Sequence, residues 1–529
     1  MSQGAASKVS DASDDDVEAI TRPKAAIDRA RDRYFPHADY HLARFAMLRL
    51  LGVVYLAAFV ALLRQGPALF GARGLTPASS FLERLASHGE GFRQLPTIFW
   101  WDVSDGAIQL AASLGIALSL LVVAGFANAP ILTVLFVLYG SFVRIGQVWY
   151  GYGWELQLIE TGFLAIFLAQ PLDPRPLPPR PVPFVVVVLF RWLVFRVFLG
   201  AGLIKLRGDP CWIDATCLDA HFETQPVPNP LSPFFHAAPH AMHALGVVVN
   251  HAVELVLPFF VFGPVRARRI AGVAMIGFQV ALILSGNLAF LNWLTIVPVF
   301  ACLDDAFLER WLPTRLRAAW SRRAFEPLAS GPRRALCAAL AALVAVLSID
   351  PALNLLSDRQ AMNRAYTTLE LVNSYGAFGV VGSARRELVF EGTRGDPSSP
   401  DARWVAYEFP CKPGDPRRRL CVLGPYHHRL DWQVWFAAMG PPGEAPWALH
   451  LVAKLLRGER VTRSLFANDP FPDAPPRAVR VRRYVYRFAP IGSDATWLRE
   501  PDGLWLPPLD RHDPRLLDYL RTQGFDRDP

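Results

Sequence analysis

Lys205, His251 and Glu254 are residues whose types could support proton transfer in an apolar setting. Lys205 lies near the end of the apolar run at 183–206, and the other two share the run at 243–263. Burial beside Glu254 would lower the pKa of the lysine and make it a candidate general base. The sequence favours a simpler interpretation, in which the Lys205 ammonium extends to the membrane interface. Catalysis is therefore the alternative hypothesis for these residues.

His251 and Glu254 also have the i, i+3 spacing by which helical bundles present metal ligands. Such bundles use two copies of this pair, and the sequence has one. Five further residues are too irregularly spaced to predict a zinc site: His221, Glu223, His236, His240 and His243. The sequence also contains no nucleophile elbow, HExxH or Walker motif. We therefore predict no metal and no cofactor.

Further polar residues inside the apolar runs indicate interactions within a membrane. They are Glu155, Glu160, Arg191, Arg196 and Gln279. A charge in a bilayer is costly unless it is paired or lines a cavity. The two arginines share one helix, about 140° apart around its axis, and the glutamates lie on the preceding helix. We predict structural ion pairs between these two helices.

Four of the six cysteines form two closely spaced pairs: Cys211/Cys217 and Cys411/Cys421. The charge pattern places both pairs outside the membrane, where disulfides persist. We predict two local disulfides; the alternative is four free thiols in the cytoplasm, because sequence alone cannot fix connectivity. The second bond would close a turn at 412–416 and return residues 422–423 beside a strand at 403–409.

Two groups of residues in the C-terminal part are candidates for binding a client protein. Arg417, Arg418 and Arg419 place three positive charges in a row and form either a basic binding surface or a solvated hairpin tip. Trp432 and Trp435 lie in a predicted helix. They would bind unfolded chains if exposed, although a core position explains each of them equally well.

The elements that position these residues are of two kinds. Of the 529 residues, 52% are hydrophobic and the mean hydropathy is +0.23, more apolar than a usual soluble domain. Apolar runs long enough to cross about 30 Å of hydrocarbon occur at 44–63, 107–127, 130–148, 154–170, 183–206, 243–263, 269–286, 288–303 and 335–355. We predict a membrane all-α helical bundle of about nine transmembrane helices at 44–356, followed by a soluble α+β domain.

The distribution of arginine predicts the orientation of this bundle. Arginine-rich loops at 264–269 and 304–334 fall on the same side as the N-terminal segment 1–43. Since Arg and Lys concentrate in cytoplasmic loops, this side is predicted to be cytoplasmic. An odd number of crossings then places the extracytoplasmic domain, 357–490, on the other side, followed by a loosely packed tail at 491–529.

The net charge of +8 does not indicate a nucleic-acid surface. The basic residues are nearly all Arg and cluster beside apolar runs, without the interleaved aromatics typical of such surfaces. Membrane lipids are the expected surroundings instead. The arginine bias favours a GC-rich bacterial genome, so the predicted location is the bacterial inner membrane with the C-terminal domain in the periplasm, or the endoplasmic reticulum membrane in a eukaryote.

The C-terminal domain has an α+β pattern. Strands are predicted at 387–391, 403–409 and 478–488, the last with alternating apolar residues. Helices are predicted at 432–439 and 447–456. Turns rich in Pro and Gly separate these segments.

Several motifs resemble the lipase maturation factor family over about residues 40–490. They are GLIKL at 202–206, HFETQP at 221–226, FGPVR at 262–266, SGN at 285–287, NWLT at 292–295, LVNSYGAFG at 371–379, YEFPCKPGD at 407–415 and PYHHRLDW at 425–432. The resemblance implies a factor of the endoplasmic reticulum membrane in animals, whose lumenal domain assists folding and dimer assembly of secreted lipases. The present sequence ends without a retention signal. The expected partners are exported client proteins, with lipases as candidates.

A weaker similarity connects residues 202–212 with the membrane part of vitamin K-dependent γ-glutamyl carboxylase, in which a lysine matching Lys205 acts as a base. It implies, as an alternative function, an integral-membrane enzyme acting on a lipid or quinone. No histidine stands near Trp154, where that enzyme has a catalytic one, so carboxylation is not expected. The leading hypothesis is a non-enzymatic, membrane-anchored maturation factor.

Overall fold

The computed structural model describes residues 39–320, 331–523 and 525. Most of the predicted cytoplasmic segment 1–43 and residues 321–330 of the predicted cytoplasmic loop lie outside the described residues. Helices make up the part of the chain before the C-terminal domain, and that domain contains a four-stranded sheet.

Helices of the first part have the following bounds. They are α1 (His41–Leu69), α2 (Ala78–Ser87), α3 (Asp105–Ala124), α4 (Ala129–Ile145), α5 (Gly153–Leu168), α6 (Phe184–Gly208), α7 (Cys217–Thr224), α8 (Ser232–His236), α9 (His240–Phe260), α10 (Val265–Ser285), α11 (Leu291–Val299), α12 (Asp305–Leu308), α13 (Thr314–Trp320) and α14 (Gly331–Leu356). Single 3-10 turns lie between several of them, at Ile98–Trp100, Gln147–Tyr150, Pro210–Trp212, Phe300–Cys302 and Glu309–Trp311.

Six helices of the described part are long and apolar enough to cross a membrane: α1, α3, α6, α9, α10 and α14. Leu291–Cys302 and Asp305–Trp311 meet this condition only as a pair, bent by 107° at their break, which makes seven the upper count. The predicted count of about nine is not confirmed. One reason is that α4 and α5 have 17 and 16 residues, roughly 25 Å at 1.5 Å per residue. The chain is nevertheless a multi-pass membrane protein.

The hairpin of α3 and α4 shows how local sequence sets the helix ends. Ser104 caps α3, since its Oγ accepts a hydrogen bond from the Ala107 amide at 3.2 Å. Gly125 ends the same helix in the left-handed region, with φ of 118°. Asn128 then caps α4 through the Ile131 amide at 3.1 Å. Ser104 and Asn128 thereby satisfy amide groups that the two helices leave open at their starts.

The start of α1 is capped from a distant part of the chain. The Asp305 carboxylate accepts hydrogen bonds from the His41 and Leu42 amides at 2.8 and 2.9 Å. In return, the Asp305 amide donates to the Asp39 carbonyl at 2.9 Å. The first span is thereby fixed to the break that follows α11.

The C-terminal domain contains one antiparallel sheet in the order β2-β1-β3-β4. Its strands are β1 (Arg385–Thr393), β2 (Val405–Tyr407), β3 (Ala478–Phe488) and β4 (Trp497–Asp510). Its helices are α15 (Arg429–Ala437), α16 (Trp447–Arg457), α17 (Arg460–Arg463) and α18 (Pro514–Thr522). The predicted strands and helices of this domain are all present.

The prediction of a loosely packed tail at 491–529 is wrong for the residues that the structure describes. β4 pairs with β3 from Trp497 to Asp510, and α18 buries Leu516 and Leu520. The sequence pattern does not predict this strand, because Pro and Gly interrupt the alternation of its apolar and polar residues. An edge strand tolerates them, since one of its sides has no ladder to complete.

The domain and the bundle share one hydrophobic core, in which apolar residues of both parts are packed continuously. The rings of Trp149 and Trp447 meet with centroids 5.5 Å apart. The segment at 371–378 lies along α6, where a Cβ on Gly200 would collide with the Tyr375 carbonyl oxygen. The domain thus packs directly against the helices of the bundle.

Both predicted cysteine pairs are disulfide-bonded. The Cα atoms of Cys211 and Cys217 are 4.8 Å apart, and those of Cys411 and Cys421 are 5.6 Å apart. The predicted return of residues 422–423 beside the preceding strand is wrong. Instead, the Leu423 amide donates to Asn287 Oδ1 in the bundle at 3.0 Å.

Candidate functional site

A cavity of about 230 Å³ lies within the bundle, lined by residues of α6, α9, α10 and α11 and of the short helices α7 and α8. Its lining includes an ion pair in which Lys205 Nζ lies 2.6 Å from Glu254 Oε1. Asn250 completes this group, since its Oδ1 accepts from Lys205 at 3.2 Å and its Nδ2 donates to Glu254 Oε2 at 3.1 Å. All three side chains are buried.

Glu254 takes its position from a π turn at Ala252–Val256 within α9. Single π turns in long helices are frequent at functional sites. Gly202 of α6 faces this turn, and a Cβ there would approach Leu255 Cδ2 to 2.6 Å. The missing side chain lets α6 and α9 approach closely, which brings Lys205 within reach of the carboxylate.

The prediction that the Lys205 ammonium extends to the membrane interface is wrong. The residue is 4% exposed, and the Glu254 carboxylate and Asn250 amide take the place of water around it. His251, the third candidate, does not line the cavity. Its Nε2 donates to the Trp212 carbonyl at 2.9 Å.

Uncharged polar groups complete the cavity. Asn292 Nδ2 donates to Gln279 Oε1 at 2.7 Å, so the predicted intramembrane residue Gln279 has a partner on α11. Thr295, one turn further along α11, accepts a hydrogen bond from Gln157 Nε2 at 3.1 Å. His221 also lines the cavity, and burial, reinforced by the charge of Lys205, lowers its pKa to about 4. Its imidazole is therefore neutral at pH 7.

A second buried cluster connects α5 and α6 to the segment at 371–378. Arg196 and Glu160 form an ion pair, as the sequence predicts. The remaining bonds come from this segment: Tyr375 Oη donates to Glu160 Oε2 at 2.7 Å, and Arg196 Nη1 donates to the Asn373 carbonyl at 2.6 Å. These contacts fasten the C-terminal part to the bundle.

The other predicted ion pairs have different partners. Glu155 pairs with Arg429 of α15, with Nη1 and Oε1 2.7 Å apart and both side chains fully buried. Among the residues that the structure describes, Arg191 pairs with no glutamate and donates instead to the Ala301 carbonyl at 2.9 Å and to the Tyr40 hydroxyl at 2.6 Å. The sequence could not show that the domain supplies a cation to the bundle.

Trp432 and Trp435 contact the bundle. Trp432 is buried, and its ring centroid lies 4.8 Å from that of Trp154. Trp435 Nε1 donates to the Thr224 carbonyl at 2.9 Å. These two residues therefore form neither an exposed binding surface nor the domain's own core. They lie in the junction between domain and bundle.

The three consecutive arginines differ in their surroundings. Arg418 donates to the Phe409 and Pro410 carbonyls and lies 3.6 Å from a Glu408 carboxylate oxygen. It therefore holds the disulfide-closed loop together. Arg417 and Arg419 are exposed.

Sequence reasoning missed a fully buried cluster at the base of the sheet. The Glu387 carboxylate contacts both Arg385, at 2.6 Å, and Lys412. Arg385 also donates to the Glu223 carbonyl at 2.7 Å, which ties β1 to the end of α7. A signal was present, since Arg385 and Glu387 fall on the same face of a strand that continues with the apolar residues 388–390. Burial lowers the pKa of Lys412 well below its usual value.

Comparison with known proteins identifies the family of this chain. Residues 42–310 match the lipase maturation factor transmembrane domain, and residues 371–507 match the lipase maturation factor C-terminal domain. The chain belongs to the lipase maturation factor family. It is 45% identical to Lipase maturation factor 1 of Bos taurus over 90% of both chains. No solved structure matches it.

Two human relatives are also similar to this chain over most of its length. Identity to Lipase maturation factor 1 of Homo sapiens is 43%, over 92% of this chain and 90% of that protein. Identity to human Lipase maturation factor 2 is 30%, over 92% of this chain and 85% of that protein. These relatives are eukaryotic, so the predicted bacterial inner membrane and periplasm are not supported, whereas the endoplasmic reticulum alternative fits the family.

The cavity does not have the composition of a metal centre. In the described residues, no group of three or more His, Cys, Asp or Glu side chains could hold a metal ion. No comparison favours the alternative of a lipid- or quinone-modifying enzyme.

Proposed function

We propose that this protein is a membrane-embedded maturation factor for lipases, acting on exported client proteins. The observation that supports this most strongly is its identity of 43 to 45% to three vertebrate proteins named Lipase maturation factor 1, over at least 90% of each chain. Coverage of this extent includes both the transmembrane and the C-terminal domain. No catalytic step is needed for this role.

The proposed location is the endoplasmic reticulum membrane, with the C-terminal domain in the lumen and the N-terminus in the cytoplasm. The two disulfides support this orientation, because an oxidising compartment favours them. The proposed divisions remain a cytoplasmic segment at 1–43, a bundle at 44–356 and a folded domain from 357. We extend this domain to Thr522, the end of α18, since β4 and α18 belong to it.

Client proteins are proposed to bind the surface of the C-terminal domain. Arg417 and Arg419 remain candidates because they are exposed beside the loop that Arg418 and the Cys411–Cys421 bond hold in place. Exposed arginines suit acidic surfaces of a client. Trp432 is excluded from this role by its burial.

Complementation tests the proposal. Mouse cells lacking their own Lipase maturation factor 1 and secreting a lipase would receive the full chain with an appended retention sequence, and its presence in endoplasmic reticulum membranes would be verified. We expect active lipase per mass of secreted lipase to rise, while a secreted phosphatase in the same cells stays unchanged. The proposal fails if the mouse protein restores lipase activity and this chain, at equal abundance, does not.

A further inference from the structure

The cavity between α6, α9, α10 and α11 has features of a ligand-binding site that the role in lipase maturation does not require. Several aromatic rings line it, among them Phe198, Phe278 and Phe378. Two lining residues, Val249 of α9 and Ala281 of α10, are also exposed on the apolar outer surface of these helices. Both helices are candidate membrane spans, so the cavity opens toward hydrocarbon and its ligand would enter from the bilayer.

The charges of the cavity cancel within it. Lys205 and Glu254 form a closed pair with Asn250. The other polar side chains of the lining carry no charge at pH 7: His221, Gln279, Ser285, Asn292 and Thr295. An ionic ligand would place an uncompensated charge in these apolar surroundings, which is costly. The site therefore suits an uncharged ligand.

The amide pair leaves two hydrogen-bonding groups open. Gln279 Oε1 accepts from Asn292 Nδ2, but Gln279 Nε2 and Asn292 Oδ1 have no hydrogen-bond partner among the residues that the structure describes. Both side chains are more than nine-tenths buried, at 6% and 3% exposure, and both line the cavity. Exchange of N and O in the two amides would still leave one donor and one acceptor.

A hydroxyl group satisfies both open groups, because it donates one hydrogen bond and accepts another. A ketone or quinone carbonyl would only accept and would leave the Asn292 oxygen unmatched. The volume of about 230 Å³ corresponds to roughly eight groups the size of a methylene or water, at about 30 Å³ each. This space holds the head group and the first carbons of one chain, and the rest of a longer chain extends through the opening beside Val249 and Ala281 into the bilayer.

We propose that this cavity binds an uncharged single-chain lipid with a hydroxyl head group, such as a long-chain alcohol or a monoacylglycerol. The hydroxyl group bonds to Gln279 and Asn292, the first carbons of the chain lie among the aromatic rings, and the Lys205–Glu254 pair closes the polar part of the wall. No bond of the ligand is broken or formed.

Photolabelling of the full-length protein in lipid nanodiscs tests this. The probe is dodecanol carrying a diazirine and a terminal alkyne. We expect saturable labelling of α9 and α10 peptides that unlabelled monododecanoylglycerol displaces. Matched probes that end in a carboxylate or a methyl ketone should label about tenfold less, since each loses a hydrogen bond or adds a charge.

Two variants of neighbouring residues locate the site. Ala281→Phe fills the opening and should reduce labelling by the alcohol at least about fivefold, whereas Val280→Phe, on the lipid-facing side of the same helix, should not. Asn292→Leu should remove the preference for the alcohol over the ketone. If Asn292→Leu does not fold, Gln279→Met replaces it in the same comparison. Equal labelling of the Ala281 and Val280 variants, or equal labelling by all three head groups, would overturn the proposal. Lipase maturation is not measured, so the result is independent of the proposed function.

Discussion

At the scale of single residues, the buried ionisable groups of this protein are of two kinds. Most have a charged partner, such as Lys205 with Glu254 or Arg196 with Glu160. In the described part of the chain, His221 has no such partner: its ring is buried against Phe378, with centroids 5.0 Å apart. A buried imidazole without a carboxylate favours its neutral form, so His221 should make stability depend on pH.

The direction of this dependence follows from the pKa of His221, which burial lowers from 6.5 to about 4. Between these values the unfolded chain binds more protons than the folded one, so stability is complete above about pH 6.5 and is lost as pH falls toward 4. From pH 7 to pH 5 the loss should be on the order of 1 to 2 kcal/mol. His221→Gln should remove this part of the change in melting temperature.

The control is His88→Gln, at an exposed position. It should melt like the parent at both pH values, measured for all proteins in the same detergent. A His221→Gln protein that loses as much stability as the parent between pH 7 and pH 5 would contradict the assignment.

At the scale of elements, the junction of α5 and α15 holds domain and bundle together. Arg429 donates to the Trp149 carbonyl at 2.7 Å, pairs with Glu155 and lies over the ring of Tyr150. Gln65 of α1 accepts a hydrogen bond from the Arg429 amide at 2.8 Å. Removal of one charge of such a buried pair leaves the other uncompensated.

Arg429→Met should therefore lower the free energy of unfolding by about 3 to 5 kcal/mol. The double variant Glu155→Gln/Arg429→Met should lose less, because no charge remains unpaired. Arg175→Met removes an exposed pair with Asp173 and should change stability by less than about 1 kcal/mol. Thermal unfolding of the four proteins in one detergent measures these differences; a double variant less stable than Arg429→Met would refute the explanation.

The elements also show what sequence can and cannot predict. The bounds of β3 were predictable, because apolar residues recur at every second position on both sides of a single phase shift at Arg482 and Arg483. β4 was not, since Pro501 and Gly503 break the pattern of an edge strand. In the candidate site, sequence indicates that Lys205 and Glu254 are unusual, as charges in apolar runs. It does not show that a π turn and Gly202 bring them together, because that depends on packing between helices distant along the chain.

At the scale of the whole molecule, two disulfides and the C-terminal domain should occupy one side of the membrane. Cys211–Cys217 follows α6, and Cys411–Cys421 lies in the domain. The Trp212 indole donates to the Phe378 carbonyl at 3.0 Å, so the segment that holds the first disulfide touches the C-terminal part. A single orientation therefore exposes both bonds to the same compartment.

Glycosylation mapping checks this orientation. An N-glycosylation acceptor sequence inserted in the exposed turn at 491–494 should be modified in mammalian cells, because this reaction occurs in the lumen. The same insertion within 321–330 should stay unmodified. Protection of the membranes from added protease verifies that both proteins are inserted. The reverse pattern would overturn the orientation.

The contact between Asp305 and the start of α1 has a consequence for biosynthesis. The amide of His41 and the carboxylate that caps it are 264 residues apart, and ribosomes add about 5 to 20 residues per second. The first span therefore waits on the order of 13 to 53 seconds in the membrane before its cap has been synthesised. During this interval its amide groups at that end depend on water or lipid head groups. A nascent chain that stops before residue 305 therefore keeps a first helix without the carboxylate that caps it in the finished protein.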